Sequence, residues 1–150
     1  AVLKVNNDLE RMGDLAQNMA ERAQMLAVAQ NVPAPPSELR GMMEMVQSMV
    51  VRCLDALVRL DADVARSVLR DDEGVDEAHR RMYQALQDRM TKNPERIPDY
   101  IQYLSVSRYL ERMADQTTNI AEDVIFTAEG EVIRHRRFLP DGADRTGGDR

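Results

Sequence analysis

Between residues 3 and 29, apolar side chains fall at Val5, Leu9, Met12, Ala16, Met19, Ala23 and Leu26. Steps of four and three alternate without a break, the spacing of one helical face. The alternation returns at Met42, Val46, Met49, Cys53, Leu57, Leu60, Val64 and Val68, predicting a helix over 39–70. It returns at Val75, Ala78, Met82, Leu86 and Met90 for a helix over 72–92. Val106, Leu110, Met113, Thr117, Ile120 and Val124 give another over 97–129.

The breaks between these runs are chemical. Pro33, Pro35 and Pro36 cannot continue a helix, so 31–38 reads as an extended linker ending on a Ser37 cap. Arg70–Gly74 predicts a reversal, and Asn93-Pro94 ends the next helix. Pro98 suits a first helical turn, and Gly130 is a candidate stop. Residues 131–150 are polar and rich in glycine, which predicts a disordered tail. The fold class is therefore all-α. The three helices within 39–130 form an antiparallel three-helix bundle.

The first helix repeats the last. Leu9-Glu-Arg-Met-Gly-Asp-Leu-Ala-Gln-Asn-Met-Ala-Glu21 matches Leu110-Glu-Arg-Met-Ala-Asp-Gln-Thr-Thr-Asn-Ile-Ala-Glu122 at eight of thirteen positions, with an offset of 101. Residues 1–30 then read as the closing helix of an earlier, truncated repeat. The chain opens inside a helical pattern and without Met, which predicts a piece of a longer protein. An apolar helix left without its own bundle needs cover. It is expected to pack on 39–130 as a four-helix arrangement, or to exchange with a second copy in a homo-oligomer.

Glu10, Asp14, Asn18 and Glu21 share one side of their helix, as do Glu111, Asp115, Asn119 and Glu122. Like charges one turn apart destabilise a helix unless a cation lies between them. Asp72 and Asp76 form a third pair, placed by the predicted boundaries in a first turn, where acids favour the macrodipole. Gly13 lies mid-helix, where a close neighbour or ligand would justify its cost.

Composition narrows the classes. A 43% hydrophobic chain of 150 residues can bury one core, and its ten Met with no Trp favour helix over sheet. A net charge of −6 argues against nucleic acid. The single cysteine, Cys53, lies on an apolar seam and reads as a small buried hydrophobe in a reducing compartment. No apolar run is long enough to insert into a membrane, and no signal peptide is visible. No nucleophile–base motif, phosphate-cradling glycine loop or dinucleotide fingerprint is present, so an enzyme is not expected. Asp76-x-x-His79 is half of a di-iron unit without its mate, and His79 reads as a surface histidine. His135 sits in the basic run Arg134–Arg137, which reads as solvated.

Two stretches, NNDLERMGDLAQNMAE from Asn6 and RYLERMADQTTNIAEDVIFTAEGEVIRHR from Arg108, resemble the two copies of the PhoU signature. The resemblance covers 2–137 and lacks the family's first two helices. It implies two tandem three-helix bundles carrying acidic E/D-x-x-x-D motifs. It implies a cytoplasmic negative regulator of phosphate uptake and phosphate-starvation signalling, peripheral to the inner membrane through its partners. Those partners are the ATPase of a phosphate ABC transporter and a sensor histidine kinase. Carried onto this sequence, the metal motifs are Asp72 with Asp76 and Glu111 with Asp115, with Asn119 and Glu122 as further donors. Glu10, Asp14, Asn18 and Glu21 form an incomplete first-repeat site. Hard oxygen donors suit Mg, Mn or Fe. A homodimer or higher oligomer is expected. The alternatives are an accessory domain of a sodium–phosphate transporter and a carboxylate-metal helical-bundle enzyme.

Overall fold

The computed structural model describes residues 2–138, with side chains from 4 to 130. It contains four helices, α1 (Val2–Val28), α2 (Ser37–Arg59), α3 (Ala62–Lys92) and α4 (Ile97–Phe138). A single 3-10 turn, Pro94–Arg96, joins the last two. Helices α2, α3 and α4 bury one core, in which Met42, Met49 and Met82 have no exposed surface. Cys53 is buried there as the sequence predicts. Its Sγ donates to the Thr117 carbonyl at 3.3 Å, and desolvation pushes the thiol to about 11.

The corner between the second and third helices lies at Leu60-Asp61, well before the predicted reversal at Arg70–Gly74. Leu60 takes a left-handed conformation (φ 53, ψ 41) and closes α2. Asp61 then caps α3, accepting from the N–H groups of Asp63 and Val64 at 3.0 Å each. The apolar period misleads here because Leu57, Leu60, Val64 and Val68 keep helical spacing across a two-residue corner. Arg70–Gly74 is helix interior, so Asp72 and Asp76 lie mid-helix and the macrodipole no longer accounts for them. Gly130 does not stop α4, which continues to Phe138. The tail predicted as disordered lies, from 139 onward, outside the described residues.

Helix α1 packs on α4 alone among the described helices. It runs antiparallel, with Lys4 paired to Asp123 at 2.9 Å and Arg22 donating to Gln102 at 3.3 Å. These contacts spread outward from the level of Gly13 and Ala114, which are counterparts in the repeat. The two helices are thus related by a local twofold. The buried side of α1 carries Asp8, Met12 and Leu15, with Val5 and Met19 half-buried against the core. Leu9, Ala16 and Ala23, predicted to face inward, are exposed. Their counterparts Leu110, Thr117 and Val124 are buried under α2 and α3, as is Ala114, the counterpart of exposed Gly13. The apolar band on α1 is therefore wider than one neighbour covers. A Cβ at Gly13 would meet nothing within 4 Å, so no close approach explains that glycine.

The seam between α1 and α4 is imperfectly satisfied. Asp8 is 3% exposed; one carboxylate oxygen lies 4.0 Å from Arg11, and the other is buried without a partner. An orphaned buried acceptor costs about 1–3 kcal/mol. Replacing a poorly paired buried charge with an apolar side chain removes that cost. Asp8→Leu is accordingly expected to stabilise the protein by roughly 1 kcal/mol, read as a higher urea midpoint with unchanged slope. A lower midpoint would mean that Asp8 has a partner it needs.

The proline linker is strapped to the bundle. Tyr103 donates its hydroxyl to the Pro33 carbonyl at 2.8 Å, and Arg89 reaches the Ala34 carbonyl at 2.7 Å. Arg96, paired with Asp99, donates to the carbonyls of Gln30 and Asn31. These bonds satisfy carbonyls that the prolines leave without a helical donor.

Candidate functional site

The antiparallel register of α3 and α4 is set at one end by Arg66 with Glu129 and further along by His79 with Ser107. It brings the sequence-predicted acids together, two from each helix. Asp72, Asp76, Glu111 and Asp115 form one electrostatic cluster. Asp72 is held above the usual carboxylate range by desolvation, then by the fields of Asp76, Asp115 and Glu111. Glu111 is raised by desolvation, then by Asp115 and Asp76, against the pull of Arg112 and Arg108. Asp115 is raised by desolvation and by Asp76, opposed by Arg112.

Two nearby cations pair with acids outside this quartet, while Arg108 and Arg112 act on it without an ion pair. Asp71 pairs with Arg52, and Glu77 pairs with Arg81 at 2.8 Å. None of the four takes part in an ion pair among the described residues. One oxygen of Asp72 is buried and has no hydrogen-bond partner. Among the described residues, no three Asp, Glu, His or Cys side chains are arranged around a common ion position. The quartet's donors are oxygen-only, the chemistry that suits a hard divalent cation, and Arg108 and Arg112 offset part of its charge.

The remaining predicted donors lie apart. Asn119 is half-buried one turn beyond Asp115, and no hydrogen bond ties it to the quartet. Glu122 is exposed and lies in the field of Lys4 on α1. On α1, Glu10, Asp14 and Glu21 are exposed and Asn18 is half-buried. Among the described residues, no ion pair ties them to another helix. Asp14 instead shares with Asp115 a cleft at the α1–α4 crossing, lined also by Arg11, Leu15, Arg112 and Gln116.

His79, read from the sequence as a surface histidine, is half-buried. Its Nδ1 lies 2.7 Å from the hydroxyl of Ser107, which is fully buried against the Met42 sulfur. Desolvation and Arg108 lower its pKa, and Asp76 partly offsets them. Sequence reading misses this pair because it starts the α4 seam at Val106, whereas the buried period runs Tyr103, Ser107, Leu110, Ala114, Thr117 and takes in the serine. The register that opposes Asp76 to Glu111 would have placed His79 one turn further along, beside it.

Comparison with known proteins follows the same lines. The PhoU domain family matches residues 39–124. A Pseudomonas aeruginosa phosphate-specific transport system accessory protein PhoU homolog is 38% identical over 128 residues, covering 85% of this chain and 53% of the relative. The Caulobacter vibrioides homolog is 35% identical over 137 residues, covering 91% and 60%. The crystal structure of PhoU from Pseudomonas aeruginosa superposes with a TM-score of 0.81 over 85% of this chain and 61% of that one. The phosphate transport system regulatory protein PhoU from Streptococcus pneumoniae gives 0.74 at 31% identity, over 84% and 59%. The chain spans about half to three fifths of these relatives. The all-α helical bundle agrees with these matches, and the chain belongs to the PhoU family.

Proposed function

We propose that this chain restrains phosphate uptake and phosphate-starvation signalling by contact with a phosphate ABC transporter's ATPase and a sensor histidine kinase. The observation that carries this reading is its 38% identity, with a shared fold, to an accessory protein of phosphate-specific transport. Its place is the cytoplasm, peripheral to the inner membrane through those partners. In support, no helix among the described residues is long and apolar enough to cross a membrane. The role is contact without catalysis. In the Ser107–His79 pair, the nearest thing to a nucleophile and base, the hydroxyl is fully buried and the imidazole half-buried.

The uncovered band on α1, Leu9, Gly13, Ala16 and Ala23, supports the reading of α1 as the closing helix of a preceding three-helix repeat. A second copy of the chain, in a homodimer or higher oligomer, would meet the same need. Asp72 and Asp76 from α3 with Glu111 and Asp115 from α4 would hold Mg, Mn or Fe. Asn119 and Glu122 would serve as further donors after rotation. The ion would neutralise like charges across the two helices and tie them together.

The test is retention of purified ATPase or kinase on the immobilised chain at micromolar concentration. Retention of at least one is expected. If neither is held, the adaptor role fails.

A further inference from the structure

A twofold between two antiparallel helices runs perpendicular to both and leaves through the broad face of the pair. On α4, the side carrying Leu110, Thr117 and Val124 is covered by α2 and α3, and the opposite side, with Arg112 and Asp115, is open. The axis emerges there, at a cleft of about 420 Å³ that holds Arg11 with its counterpart Arg112 and Asp14 with Asp115. Farther out at helical spacing come Asn18 with Asn119 and Glu21 with Glu122. The face ends on one more pair, Met25 and Phe126, 52% and 78% exposed. Each lies about 18 Å along its helix from the crossing at Gly13 and Ala114. The four polar pairs are identical, whereas pairs that pack inward have drifted, Ala16 with Thr117 and Met19 with Ile120. Stability does not hold exposed polar positions fixed. The acidic quartet accounts for Asp115 and for neither arginine.

The geometry points to this face as the docking surface for a homodimeric protein, seated with its own twofold on that of the α1–α4 pair. Each partner subunit then meets one arginine at the axis, a run of Asp, Asn and Glu beyond it, and one exposed apolar side chain at the end. Both guanidiniums are open to a partner. Arg11 reaches Asp8 only at 4.0 Å with its side chain 67% exposed, and Arg112 has no ion pair among the described residues. Beside Met25 a depression of about 390 Å³, lined also by Glu21, Arg22, Gln24 and Val28, has room for a partner's side chain. Charge complementarity sets the partner's chemistry. Each subunit offers an acid near its axis, a Lys or Arg for Glu21 or Glu122, and an apolar pocket about 18 Å out for Met25 or Phe126. A dimer fills both half-sites at once and is held more tightly than either half alone would hold it. A monomeric partner would leave the duplicate half without a use.

This inference rests on the adaptor reading and not on a bound cation, and the experiment separates it from that reading. The purified transporter ATPase and sensor kinase are each titrated calorimetrically with the chain, and light scattering gives the stoichiometry of whichever complex forms. One chain per two partner subunits is expected. Met25→Glu and Phe126→Glu are each expected to weaken binding by about tenfold or more, as are Arg11→Glu and Arg112→Glu. Met43→Ser, exposed on α2 and outside this face, leaves the affinity unchanged. Binding of neither protein overturns the adaptor reading and this surface with it. One chain per partner subunit, or a loss confined to one end of the face, overturns the twofold seat while the adaptor reading stands. Binding untouched by all four charged variants overturns the surface in the same way. Self-association of the chain alone, abolished by Phe126→Glu, would make the occupant a second copy and likewise overturn it.

Discussion

A divalent cation at a hundredfold its dissociation constant is expected to raise the melting temperature at pH 7 by roughly 5–10 °C. Binding to the folded state alone contributes about 2.7 kcal/mol at that excess, and each kcal/mol moves a domain of this size by about 2–4 °C. The expectation rests on Asp72, Glu111 and Asp115, all raised above their ordinary values of 3.8, 4.5 and 3.8. A raised carboxylate stabilises the fold fully below its unfolded value and ceases to do so as pH rises through its folded value. At pH 7 the bare quartet is at its least favourable limit, and the cation has most to relieve. The gain should shrink as pH falls through the raised values towards 3.8–4.5, where protons do the same work. Asp72→Asn separates the two contributions. Without cation it should raise the melting temperature slightly, by about 1–2 °C, through lost repulsion. With cation it should show little further gain. Circular dichroism melts in Mn2+ and in EDTA read both effects. An unchanged wild-type melt, or an undiminished gain in Asp72→Asn, would leave the quartet as a solvated surface.

Met82→Ala is expected to cost about 2–5 kcal/mol, the range for truncating a fully buried side chain in a core that cannot collapse. Met82 has no exposed surface and sits in the α2–α3–α4 core with Met42 and Met49. Against a total stability of about 5–15 kcal/mol, that loss removes a large share of the margin. Met25→Ala on α1 is the control, since Met25 is 52% exposed. A surface change of that kind stays within about 0.5 kcal/mol. Guanidinium unfolding with unchanged slope measures both. A Met82 variant within about 1 kcal/mol of the parent would mean a core loose enough to refill the gap.

What the chain betrays of its fold depends on whether one signal or two share a helix face. The seams of α3 and α4 could be read directly, because Val75, Ala78, Met82 and Leu110, Ile120, Val124 face a single core. On α1 the apolar band serves two directions, so a single period blends them and hides Asp8 inside the contact. The corner at Leu60-Asp61 escaped because its cap is a side-chain geometry, while the apolar count runs through it uninterrupted. The quartet was recoverable as residues, since acids at helical spacing are visible in the string. Its partnership across α3 and α4 needed the register. Arg11 and Arg112 were in view as matched letters of the repeat, but only the crossing of α1 over α4 gives them a shared place.

The strap across the proline segment grips main-chain oxygens, which every amino acid supplies. Positions such as Gln30 and Ala34 are therefore free to drift in sequence while the hold persists. The burden of identity falls on the distant donors Arg89, Arg96 and Tyr103, which must be kept for residues they do not resemble or adjoin. Descendants of this sequence should thus tolerate turnover in the segment that is held and resist it in the residues that do the holding.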